Sequence, residues 1–143
     1  MRISYFVLAA LIAMGIAGCS SPNSVDRIAT IPEQNAASYQ TMSIDELVGV
    51  MTDNDRAFTV VNVHIPYEGE IEGTDYNVAF NDLDALTAIL PDKEFPIILY
   101  CRSGNMSEQA AQDLAELGYT QIYDVPGGMI AWESSGYTLV GNE

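Results

Sequence analysis

Two short apolar runs, Phe58-Thr59-Val60-Val61-Asn62-Val63 and Ile97-Ile98-Leu99-Tyr100, show no alternation between apolar and polar positions. A strand with one face in water alternates with a period of two, so these runs fit strands covered on both faces. Sheets covered on both faces are parallel, and parallel strands must be joined by long crossovers, usually helices. The sequence between and around the two runs has the patterns such crossovers need. Ser43-Ile44-Asp45-Glu46 is a capping box that starts a brief helix through Met51. Asn81 or Asp82 caps a helix running to Leu90, stopped by Pro91. From Ser107, Ala110, Ala111, Leu114, Ala115 and Leu117 recur at helical spacing until Gly118, a residue suited to a left-handed cap. Tyr39–Met42 and Gln121–Val125 read as further strands, and Gly127-Gly128 opens a last helix containing Trp132. The chain is therefore expected to be α/β, a single domain with a central, mostly parallel sheet flanked by helices.

Composition narrows the function classes. At 143 residues, 48% of them apolar and 17% charged, the chain has the length of one ordinary domain and is too apolar for a disordered one. The formal net charge of −15 argues against nucleic acid as a partner, because phosphate neutralisation needs clustered Lys and Arg. Two widely separated cysteines, Cys19 and Cys101, and one histidine, His64, exclude a disulfide framework and a Cys- or His-rich metal centre.

The N-terminus reads as a targeting segment. Arg2 is the only charge before Asp26, and the apolar stretch Tyr5–Met14 leads into Ile16-Ala17-Gly18-Cys19. A basic start, an apolar core shorter than the ~20 residues of a membrane-spanning helix and small residues at the cut make residues 1–18 a signal peptide. Ile16-Ala17-Gly18-Cys19 resembles the lipobox of bacterial lipoproteins, which implies acylation at Cys19 and export to the cell envelope, with the membrane held through lipid. Residues 19–38, rich in Ser, Asn and Pro, then read as the lipidated N-terminus and a flexible tether, and 39–143 as the folded domain. Removal of Arg2 with the signal peptide leaves four basic against twenty acidic side chains, formally −16.

Chemistry concentrates in Cys101-Arg102-Ser103-Gly104-Asn105-Met106-Ser107. A cysteine leaving the carboxyl end of a central parallel strand lies where open α/β sheets place their ligands. The loop runs into a helix N-terminus, so backbone N–H groups from Arg102 to Ser107 are expected to gather around the sulfur and favour a thiolate. Gly104 permits the curl such an anion nest requires, and Arg102 adds a positive charge. His64, at a strand end, is expected to hydrogen-bond locally, the alternative being that it lines the pocket and titrates near neutral pH. Glu68, Glu70, Glu72 and Asp75 read as a solvated acidic loop.

Cys101-Arg102-Ser103-Gly104-Asn105 at a helix start resembles the active-site loop of the rhodanese family of sulfurtransferases. Gly69–Thr74 stands at that family's Gly-His-Ile-Pro-Gly-Ala segment, and Gly127-Gly128-Met129-Ile130-Ala131-Trp132 matches its Gly-Gly-x-x-x-Trp segment. The resemblance covers about residues 39–140. It implies that the Cys101 thiolate takes sulfane sulfur from a donor such as thiosulfate, a polysulfide or a persulfide. The resulting persulfide passes to a thiol or cyanide, with Arg102, Ser103, Gly104, Asn105, Met106 and Ser107 forming the binding loop, and with neither metal nor cofactor. The alternative is a membrane-tethered module with little turnover of its own that carries persulfide to a protein partner or senses it for one. Phosphatases of related fold use a Cys-x5-Arg loop, and Ser107 stands at that arginine position. Departures from the family pattern are Asn62 for Asp, His64 for Arg, a shorter loop before Gly69, and Met106 where many members carry Arg. Each removes charge or hydrogen-bonding capacity near the pocket.

Overall fold

The computed structural model describes residues 38–53 and 55–141. The segments expected to be a signal peptide and a tether, and the expected lipidation site Cys19, lie outside the described residues except for residue 38. In chain order the elements are β1 (Gln40–Thr41), α1 (Ile44–Met51), β2 (Thr59–Asn62), β3 (Tyr76–Asn77), α2 (Leu83–Ile89), β4 (Ile97–Tyr100), α3 (Asn105–Glu116), β5 (Ile122–Asp124) and α4 (Gly128–Ser134). The strands form one sheet in the order β1-β5-β4-β2-β3, and each neighbouring pair is parallel. Among the described residues, no helix is long and apolar enough to cross a membrane.

Successive residues of β4 supply two separate cores. Ile97, Leu99 and Cys101 pack with Val61, Val63, Ile122, Leu86 and the small-residue face of α3 at Ala110, Ala111 and Leu114. Ile98 and Tyr100 face the other way, onto Val60, Val125, Leu47 of α1, and Met129 and Trp132 of α4. Helices cover both faces, which is why neither central strand alternates. At 8 residues α1 is too short to be stable alone. Its capping box, in which Glu46 N–H reaches Ser43 Oγ and Ser43 N–H reaches the Glu46 carboxylate at 2.8 Å, adds about 1 kcal/mol. Burial of Leu47 adds about 2 kcal/mol more.

Three local features differ from the sequence reading. α3 starts at Asn105, two residues before Ser107, because Gly104 in a left-handed conformation (φ 101°) takes the cap position. A two-residue strand, β3, lies in the segment read as a solvated loop. Its pairing to Val61 and Asn62 holds it there, without an apolar pattern of its own. Two of the acids around it, Asp75 and Glu70, are likewise bound to structure, whereas Glu72 is exposed as expected. Asp75 accepts the Val60 N–H at 2.8 Å and pairs with Arg56 at 3.3 Å, and Glu70 takes a hydrogen bond from Asn77.

Tyr100 pins this segment to the sheet. Its buried hydroxyl accepts the Ile71 N–H at 2.9 Å and lies 2.6 Å from Thr74 Oγ1. Since Thr74 spends its own proton on Ile71 O, the phenol is the donor of that second bond. Burial pushes Tyr100 up to about 12, so it remains a donor throughout the ordinary pH range.

Candidate active site

Cys101 follows β4, the middle strand of the sheet, and is 1% exposed. Its Sγ accepts the Gly104 N–H at 3.0 Å, and Ser107 Oγ lies 3.7 Å away. Gly104 is tightly hemmed in: a Cβ there would come within 3.0 Å of Gly127 N. Among the described residues no side chain caps α3, so its first turn presents the positive end of a 12-residue helix beside the sulfur. Within the loop, Gly104 supplies the backbone hydrogen bond that reaches Sγ, a sparser cradle than one built from every amide between Arg102 and Ser107.

The loop is held from behind by α4. Met129 N–H donates to Cys101 O at 2.9 Å and Ile130 N–H to Arg102 O at 3.0 Å. Such close approach is possible because Gly128 has no side chain, since a Cβ there would sit 1.9 Å from Cys101 O. The Gly127-Gly128 pair is therefore part of the cysteine loop's support. Trp132 packs in the second core, stacks on Tyr137 with ring centroids 4.4 Å apart and donates its indole N–H to Thr138 O at 3.1 Å.

The remaining loop residues take distinct positions. Ser103 and Asn105 are exposed, and Ser107 is fully buried with its hydroxyl donating to Gly104 O at 3.0 Å. Met106 is partly buried against the core on the α3 side. Arg102 is half exposed and ion-paired with Glu68, so its charge is largely offset. The same Glu68 oxygen lies 3.6 Å from His64 Nε2. His64 corrects the expectation of a local hydrogen bond. Its side chain is 8% exposed, yet neither ring nitrogen has a hydrogen-bond partner among the described residues. Only its backbone is tied, through His64 N–H to Asn62 Oδ1 at 3.1 Å. Asn62 also donates from Nδ2 to Gly69 O at 3.2 Å, a bond that a carboxylate in its place could not make.

On the other side of the loop, at the ends of β5 and β1, lies a cleft of about 300 Å³ bordered by Tyr39, Ser103, Gly104, Asn105, Glu108 and Asp124. Asp124 is 4% exposed, and among the described residues its Oδ1 has no hydrogen-bond partner. Burial pushes its carboxyl above the usual range. Hydrogen bonding with Ser107 acts the other way, and the charge of Glu108 adds to the rise. Neither Glu68 nor Asp124 was singled out as a site residue in the sequence. Glu68 was masked by its acidic neighbours, whereas an acid closing the otherwise apolar strand Ile122–Asp124 was a readable signal.

The thiol is set at the carboxyl end of a central parallel strand and hydrogen-bonded by the loop that opens the next helix, the place where α/β sheets hold their ligands. The family model of the rhodanese-like domain matches residues 36–135, and the chain belongs to that family. Among solved structures, a rhodanese-related protein from Thermoplasma volcanium is 30% identical, with a TM-score of 0.59, covering 71% of this chain and 98% of its own. A rhodanese-like domain protein from Staphylococcus aureus is 21% identical, with a TM-score of 0.54 and coverage of 73% and 96%. A protein from Rhodopseudomonas palustris described as a possible tyrosine phosphatase is 18% identical, with a TM-score of 0.63 and coverage of 72% and 86%. The last two likenesses speak to the fold alone.

Proposed function

We propose that this protein is a sulfurtransferase that carries sulfane sulfur on Cys101. The observation that carries this reading is the hydrogen bond from Gly104 N–H to Sγ at the uncapped start of α3, which favours a sulfur anion in a buried place. The thiolate attacks the outer sulfur of a donor. A new S–S bond forms at Sγ, and the donor's S–S bond breaks with its electron pair leaving on sulfite, sulfide or a thiolate. A thiolate or cyanide acceptor then attacks the outer sulfur of the persulfide, and the pair returns to Sγ. Turnover with thiosulfate and cyanide, compared with turnover on polysulfide and a thiol, tests the activity.

A second reading has its own support. Sγ is almost out of contact with water and Arg102 is tied to Glu68, which suits a carrier that loads once and discharges only to a partner protein. Persulfide that survives small thiols yet passes to a protein thiol would favour the carrier.

The charge arrangement bears on donor choice. Glu68 stands on the β2 side of the loop and Asp124 and Glu108 on the β5 side, while the nearby cation is already paired. A dianion such as thiosulfate is repelled, and polarisable polysulfides or small persulfides are preferred. In Glu68→Gln the carboxylate is lost and Arg102 is freed, so kcat/KM for thiosulfate rises about three- to tenfold while that for a neutral donor changes little. Met106→Arg acts in the same direction, and added salt raises the thiosulfate rate of the native protein. Equal thiosulfate kinetics in Glu68→Gln and the native protein would remove charge as the basis of selection.

We also propose that the chain is exported and lipid-anchored to the cell envelope through Cys19, on the strength of Ile16-Ala17-Gly18-Cys19. Cys19→Ala is expected to accumulate as an uncut precursor. Normal cutting and membrane retention of that variant, seen on fractionation, would contradict the anchor.

A further inference from the structure

The cleft beside the cysteine loop contains an acid that the fold does not use. Asp124 ends β5, borders this cleft of about 300 Å³ and is 4% exposed. Among the described residues its Oδ1 has no hydrogen-bond partner, and none of the ion pairs involves it. An acid that serves the fold spends its oxygens on it, as Asp75 does by accepting the Val60 N–H and pairing with Arg56. A buried acceptor left unpaired is costly, more so when it is charged. The carboxyl also turns readily about its Cβ–Cγ bond, a soft torsion, so either oxygen can be offered to a partner in the cleft.

The side chains around the cleft define what that partner is. Glu108 brings a second carboxylate, which takes the Tyr39 hydroxyl at 3.1 Å, and no basic side chain borders the cleft. The start of α3 also borders it through Gly104 and Asn105, and the roughly half positive charge of a helix end opposes a cation there. Two carboxylates outweigh that half charge. Burial, and after it the charge of Glu108, disfavours the charged form of Asp124, a disfavour that a cation in the cleft relieves. A primary ammonium is such a cation, with three N–H donors and no acceptor to be left unpaired against two carboxylates.

We propose that this cleft binds a primary ammonium group through Asp124 and Glu108, and that the acceptor discharging Cys101 is a small aminothiol. The volume is at the low end for small-ligand pockets, which suits a molecule of a few heavy atoms. Gly104 links the two places, since it borders the cleft and its N–H bonds Sγ at 3.0 Å. An ammonium held on Asp124 therefore keeps a thiol on the same short chain beside the cysteine loop. The aminothiol's thiolate attacks the outer sulfur of the Cys101 persulfide. A new S–S bond forms on the acceptor, the bond from Sγ to the outer sulfur breaks with its electron pair returning to Sγ, and the aminothiol leaves as a persulfide. The acceptor's identity rests on the proposed sulfurtransferase, whereas binding of the ammonium does not.

Binding is read first, on the full chain without sulfur. The backbone amide NMR signals of Ser103, Gly104 and Asn105 are followed as ethanolamine is added at fixed pH and ionic strength, with ethylene glycol as the uncharged control. Ethanolamine should move them along a saturating curve and ethylene glycol should not. In Asp124→Asn the midpoint should rise about three- to tenfold, and in Glu108→Gln, an exposed change, by a smaller factor. Shifts that do not saturate, or an Asp124→Asn midpoint equal to the native one, overturn the site, and should that variant not fold, an unmoved midpoint in Glu108→Gln does so. Discharge is read second, on protein loaded with polysulfide. The ratio of the rate constants for cysteamine and 2-mercaptoethanol should be about three- to tenfold lower in Asp124→Asn than in the native protein, a comparison in which each thiol's own reactivity cancels. Equal ratios overturn the aminothiol acceptor. A native protein that takes up no sulfur contradicts the sulfurtransferase and the acceptor with it, while the ammonium site stands or falls on the NMR titration.

Discussion

Replacing Cys101 with Ser should reduce sulfur transfer to background while leaving the fold nearly unchanged. The exchange of sulfur for oxygen alters little volume, and the Gly104 N–H can bond to either atom. A serine hydroxyl at neutral pH is neither anionic nor polarisable, so it can neither attack the donor nor hold a transferred sulfur. A loss of three or more orders of magnitude in turnover is expected, with a melting temperature within a few degrees of the native value. Residual activity above about one part in a hundred would place the sulfur on another group.

The second large effect is on stability. Gly128→Ala puts a methyl group 1.9 Å from the Cys101 carbonyl oxygen, an atom of the backbone that cannot rotate away. Either α4 moves off the loop or the loop moves off β4, and both break the hydrogen bonds from Met129 and Ile130 to Cys101 and Arg102. Two lost hydrogen bonds and a disturbed core come to about 3 kcal/mol or more, a large fraction of the stability of an ordinary domain. The melting temperature should fall by more than about 10 °C. Gly118→Ala is the matched control, because its Cβ would meet nothing within 4 Å. There only the conformational cost of a left-handed alanine remains, about 1–2 kcal/mol. Equal losses in the two variants would show that contact with the cysteine loop is not what requires glycine at residue 128.

The sequence was legible wherever a local pattern and the tertiary environment agree. Val60-Val61 and Ile97–Tyr100 are apolar on both faces because helices cover both faces, and Ser43–Glu46 marks a helix start by local hydrogen bonds alone. Cys101 and Gly104 were legible for the same reason, since strand end, tight turn and helix start are consecutive in the chain. What was not legible depends on distant partners. Tyr76-Asn77 is polar and exposed, and becomes a strand only because Val61 and Asn62 lie beside it. Glu68 meets Arg102 across 34 positions of sequence, so its neutralisation of the loop's cation had no local sign. The reason for Gly128 likewise lies in a backbone 27 residues earlier, whereas the motif itself was visible.

The central claim, that Cys101 holds transferable sulfur, is tested most directly by the intact mass of the protein after brief exposure to polysulfide. The account predicts one added sulfur, located on the Cys101 peptide, absent from Cys101→Ser and removed by an acceptor thiol. A native protein that gains no sulfur at Cys101 from polysulfide, persulfide or thiosulfate while its thiol remains free would contradict it.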